Sequence, residues 1–89
     1  MDKNRRLKIL EARNLVEMGR IEEAEGAFEE AYTFFAQALN MFTDLADGDG
    51  QVEVLQLIAN VFRSQGNYER SLEYAKDALV IASRYSKDS

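Results

Sequence analysis

Arg6, Ile9, Arg13 and Val16 recur at intervals of three, four and three residues, which places them on one face of a helix. Two guanidinium groups on such a face can hold a carboxylate through paired N–H bonds. Leu57, Asn60 and Ser64 repeat the pattern further along, and Asn60 offers a peptide backbone both a donor and an acceptor. This is the chemistry of recognition. Little else is open to the chain. It contains no histidine and no cysteine, so the commonest general base and the thiolate nucleophile are missing, and no glycine-rich phosphate loop is present. The adjacent pairs Glu22/Glu23 and Glu29/Glu30 cannot converge on a substrate, because helical neighbours point about 100° apart. Asp47-Gly48-Asp49-Gly50 hints at a calcium loop. With its glycine at Gly50, such a loop needs an acid where Leu45 stands and a bidentate glutamate where Gln56 stands. Both ends fail, and the segment reads as a turn with a helix cap. No catalytic residue, metal ligand or cofactor is assigned.

The elements that would position these residues are helices. The 89-residue chain has no proline and five glycines, with 46% hydrophobic and 30% charged residues. This is a globular, helix-permitting composition of one domain, 1–89. Without cysteine there is no disulfide and nothing that points to an oxidising compartment. The basic start is followed by no long apolar run, so a signal peptide or membrane span is not expected, and a cytoplasmic location is the default. A net charge of -5 argues against general binding of nucleic acid or anionic membranes.

Four helical stripes are predicted, at about 3–18, 20–46, 51–65 and 67–86. The first carries Leu7, Ile9, Leu10, Ala12, Leu15, Val16 and Met18. The second carries Ile21, Ala24, Phe28, Ala31, Phe35, Ala38, Phe42 and Leu45 at unbroken 3-4 spacing. Phe28, Phe35 and Phe42 are expected in the core, with Tyr32, Phe34, Tyr74 and Tyr85 on an outer or end face. Val54, Leu55, Ile58, Val61 and Phe62 form the core face of the third, with Asp49 as its N-cap. Tyr68, Leu72, Ala75, Ala78, Leu79 and Ala82 form the fourth, and the tail from Ser86 to Ser89 is polar. The breaks are Gly19, the Asp47–Gly50 run, and Gly66-Asn67.

Gly19-Arg-Ile-Glu-Glu-Ala24 and Gly66-Asn-Tyr-Glu-Arg-Ser71 share one pattern: glycine, polar, large apolar, Glu, charged, small. A helix–turn–helix unit that occurs twice marks a helical repeat. The chain resembles the tetratricopeptide repeat family. Leu55, Ile58, Ala59, Phe62, Gly66, Tyr68, Ser71 and Ala78 fit its pattern, while Ala75 replaces the usual aromatic and Ser83 stands where a proline often ends the repeat. In the first half, a turn at Gly19 matches Ala12, Leu15, Ala24, Phe28 and Ala31 but leaves Lys8 and Glu11 at apolar positions. A turn at Gly26 matches Leu15, Met18, Gly19, Phe28, Ala31, Phe35 and Ala38, with a period of 40. The unbroken stripe from Ile21 favours Gly19, with repeat one at about 5–46 and repeat two at about 52–86. The resemblance implies an all-α fold: two antiparallel helix hairpins stacked as a short right-handed solenoid.

It also implies a protein-binding module rather than an enzyme, with a groove lined by the first and third helices. Its groove positions fall on Arg6, Ile9, Arg13 and Val16, and on Gln56, Leu57, Asn60 and Arg63. The groove would take a partner protein or peptide, its three arginines, Arg6, Arg13 and Arg63, being suited to clamp the carboxylate of an acidic C-terminus. The family's carboxylate-clamp members use a lysine one turn before the asparagine, where this chain has Gln56. The alternatives are a self-assembling structural unit, a homodimer, or a fragment of a longer repeat protein; the start at Met1 speaks against the last. Two repeats are fewer than such arrays usually need, and a second copy would cover surface left bare.

Overall fold

Three residues spaced twenty apart divide the chain. Gly26, Ala46 and Gly66 take φ of 79°, 54° and 79°, the left-handed region that ends a helix. The computed structural model, which describes residues 2–86, accordingly consists of α1 (Lys3–Ala24), α2 (Phe28–Asp44), α3 (Gly48–Ser64) and α4 (Tyr68–Ser86). The remainder of the polar tail, Lys87 to Ser89, lies outside the described residues.

The three turns close alike. The left-handed residue donates its N–H to the carbonyl three back: Gly26 to Glu23, Ala46 to Thr43, Gly66 to Arg63, at 2.9–3.0 Å. The next residue reaches five back: Ala27 to Glu22, Asp47 to Phe42, Asn67 to Phe62, at 2.8–2.9 Å. Both bonds satisfy carbonyls that a helix end leaves open. The following helix is capped by a side chain in two of the three cases. Asp47 Oδ1 accepts from the Gly50 N–H at 3.0 Å and Asn67 Oδ1 from the Arg70 N–H at 3.2 Å. The cap of α3 is therefore Asp47, two residues before the expected Asp49. Ala27 gives α2 no side-chain bond, but Glu29 and Glu30 stand in its first turn, where negative charge meets the positive helix end.

The first hairpin turns at Gly26, not at the favoured Gly19. Gly19 lies inside α1 and is buried there. A Cβ at this position would stand 2.5 Å from the Phe35 ring, so the glycine serves close approach of α1 to α2 and not chain reversal. The helix boundaries move with it: α1 is longer than expected, α2 is shorter, and the repeat period is forty residues, Gly26 to Gly66.

The core is one cluster: Ala12 and Val16 of α1, Ala31, Phe35, Ala38 and Phe42 of α2, Val54, Ile58 and Val61 of α3. The neighbours in sequence pack on one another, α1 on α2, α2 on α3, α3 on α4. The central α3 is the most buried helix, with Leu55 and Ala59 enclosed as well. Of the three phenylalanines expected inside, Phe35 and Phe42 are fully buried and Phe28 is half-buried. Tyr32 and Tyr74 are also half-buried. Phe62 stands between them, edge-on to Tyr32 at 5.6 Å and stacked on Tyr74 at 5.5 Å. The Tyr32 and Tyr74 hydroxyls meet at 3.3 Å. That bond, and then burial, hold the Tyr32 hydroxyl above its ordinary pKa. Tyr85 is exposed, with its ring over Gly48 and its hydroxyl donating to the Ala46 carbonyl.

Candidate partner-binding groove

α1 and α3 are equivalent helices, forty residues apart, and side-chain ion pairs link them. Arg13 and Glu53, which occupy the same position in the two repeats, face each other with Arg13 Nη1 2.6 Å from Glu53 Oε1. Arg20 reaches the other carboxylate oxygen of Glu53 at 3.5 Å and lies 3.7 Å from Glu17 on its own helix. Glu53 is thus shared by two arginines and ties α1 to α3. Its hydrogen bond is the main reason the Arg13 pKa is raised. The Arg13 guanidinium also stands 5.5 Å from the centre of the buried Phe42 ring, a cation–π distance. Pairs this exposed contribute roughly 1 kcal/mol or less each, so the bridge orients the two helices more than it holds them.

Of the other residues expected in the groove, Gln56, Asn60 and Arg63 come together. Arg63 Nη2 donates to Asn60 Oδ1 at 2.8 Å, which fixes the guanidinium without neutralising it. The two line a furrow of about 420 Å³ between α3 and α4, with Gln56 and Val52 beside them and alanines on the opposite wall. The furrow continues towards Tyr85 through a second hollow of about 440 Å³ that shares Val52, Gln56 and Ala82. Leu57 is half-buried and packs on the core. Arg6 is exposed and Ile9 half-buried, near the start of α1.

Two expectations need correction. Val16 is 1% exposed and belongs to the core, so no partner can reach its side chain. The three arginines do not share one ligand site. With the forty-residue register, Arg6 lies level with Ala46 and Arg63 with Glu23, about 25 Å apart along the helix axes at 1.5 Å per residue. A turn at Gly19 would make Asn60 the counterpart of Arg13, forty-seven residues on. In the observed register Asn60 corresponds to Arg20. Arg20 was not among the expected groove residues, although a forty-residue period sets it level with Asn60.

The family model for the tetratricopeptide repeat matches residues 10–84. The chain belongs to the tetratricopeptide repeat family. Searches of curated proteins and of solved structures find no match. Tetratricopeptide repeats are in general modules for protein–protein interaction, and the four-helix, all-α architecture with one hairpin per repeat fits that membership. No helix among the described residues is long and apolar enough to cross a membrane, and no group of three or more acidic side chains could hold a metal ion there.

Proposed function

We propose that this tetratricopeptide repeat chain is a non-catalytic, cytoplasmic binding module that seats a protein segment along the polar face that runs from the edge of the α3–α4 furrow across to α1. Gln56, Asn60 and Arg63 anchor the segment, and Leu57, Arg13, Ile9 and Arg6 continue the face towards the opposite end. One observation carries the reading. Arg63 is a cation held in place by a neutral side chain, with no carboxylate bonded to it among the described residues, on a chain of net charge -5. Arg13 and Arg20 are already matched by Glu53. On this face that leaves Arg63 and, at the far end, Arg6 open to a ligand, and Arg63 stands beside an amide that can read a peptide backbone. A segment ending in a free carboxylate, with further acidic residues before it, is the partner chemistry that fits.

The test is a binding titration with short peptides that end in two or three acidic residues and a free C-terminus. Arg63→Glu with Asn60→Ala should lower affinity at least tenfold and leave helicity unchanged. Both residues are off the core, so folding is preserved. Equal binding by the variant and the parent chain would refute the assignment. Arg13→Glu is the weaker choice of variant, because it sets two carboxylates face to face at Glu53 and perturbs the α1–α3 bridge as well.

A further inference from the structure

The forty-residue period makes the two ends of the molecule predictable from its middle. In the first repeat, the face built from α1 and α2 is covered by α3. The residues involved are Ala12, Val16, Ala31, Phe35, Ala38 and Phe42, all buried. Their counterparts in the second repeat are Val52, Gln56, Ser71, Ala75, Ala78 and Ala82, and these line the open furrow on α3 and α4. At the opposite end, α3 meets α2 through the buried face of Val54, Ile58 and Val61. The counterparts on α1 are Asn14, Met18 and Ile21. Met18 is 44% exposed and Ile21 57%, and Leu10, which corresponds to Gly50, is 60% exposed. One end is therefore an empty socket of the kind α3 fills, and the other an uncovered helix of the kind that fills it.

We propose that the chain associates head to tail with a second copy of itself, α1 of one copy docking on the α3–α4 furrow of the next as α3 docks on α1 and α2 within each chain. Three changes between the repeats are complementary in this arrangement. First, Gly50 lies so close to the Phe42 ring that a Cβ there would collide with it; at the junction the pair becomes Leu10 against Ala82, and the bulk has changed sides. Second, Val16 and Val54 lie in the same buried cluster; their counterparts are Gln56 and Asn14, two amides that can bond to one another. Third, Arg13 and Glu53 bridge the internal interface; their counterparts are Glu53 and the Arg13 of the second copy, again of opposite charge. A face suited to solvent alone has no reason to carry all three. The contact is heterologous, so the operation repeats and the assembly is open-ended rather than a closed pair. It is also weaker than the internal interface. The edge-on contact of Tyr32 and Phe62 has Leu72 and Glu22 in its place, and association is accordingly reversible and driven by concentration.

Mass is measured by light scattering across a concentration series on the parent chain, on Leu10→Glu and on Ala82→Glu. Both positions are exposed, and circular dichroism checks that both variants keep their helicity. The parent chain should exceed the mass of two copies at about 1 mM, where even interactions of about 4 kcal/mol populate the complex. Each variant alone should remain a single copy. An equimolar mixture should form pairs and nothing larger, because Leu10→Glu retains its furrow and Ala82→Glu retains its α1 face. A parent chain that stays a single copy, a variant that still associates with itself, or a mixture that does not pair would each overturn the proposal. Leu10 lies away from Asn60 and Arg63, so unchanged peptide binding by Leu10→Glu separates this result from that of the groove.

Discussion

Ala46 occupies the position that glycine holds in the other two turns, with φ of 54° where Gly26 and Gly66 have 79°. An alanine pays a steric penalty of roughly 1–2 kcal/mol in this region, part of which glycine returns through the greater freedom of its unfolded state. Ala46→Gly should therefore stabilise the fold by about 0.5–1 kcal/mol, read as a raised melting temperature in a thermal scan. A lowered one would mean that the methyl group makes a packing contact that outweighs the strain. This residue also explains a failure of sequence reading. The α2–α3 turn lacks a glycine at its left-handed position, so attention falls on Gly48 and Gly50 just after it. These are helical residues, placed there to let the Tyr85 and Phe42 rings approach. Glycine in a sequence announces special backbone geometry or close approach without saying which.

At the level of elements, the same ambiguity misplaced the first turn. Gly19 and Gly26 differ by seven residues, nearly two helical turns, so both keep the same residues on the same face. The stripe of apolar residues could not separate them. The deciding signal was present: Gly26-Ala-Phe-Glu-Glu-Ala31 matches Gly66-Asn-Tyr-Glu-Arg-Ser71 with an aromatic in the third place, whereas the Gly19 run has isoleucine there. The number and order of helices, the core stripes of α2 and α3, and the repeat itself were all legible, because each rests on periodicity. The groove was legible only in part. Arg13, Asn60 and Arg63 could be placed on helix faces, but which arginine meets which carboxylate depends on the register between helices, and that depends on the turn. Gly19 also sets up a test between elements. Where the first repeat packs Gly19 on Phe35, the second has Ala59 and Ala75. Gly19→Ala should cost about 1–3 kcal/mol by overpacking against the ring. Combined with Phe35→Ala, the total should fall below the sum of the two single costs, as measured by denaturant unfolding of the four chains of the cycle. Strict additivity would contradict the contact.

For the whole molecule, measuring 41 × 27 × 15 Å, the forty-residue period organises both stability and surface. It buries α3 on two sides, leaves α1 and α4 each covered on one, and sets the shared carboxylate of Glu53 between two arginines of α1. What remains for a partner is the polar edge around Gln56, Asn60 and Arg63, and recognition there is the central functional claim. The most direct measurement is a map of amide chemical-shift changes on titration with a peptide that ends in acidic residues. Saturable changes are expected, centred on residues 56–63 and on the facing turns of α4, and weakened when the peptide's C-terminal carboxylate is amidated. Changes confined to α2, or none at peptide concentrations of about 1 mM, would contradict that claim.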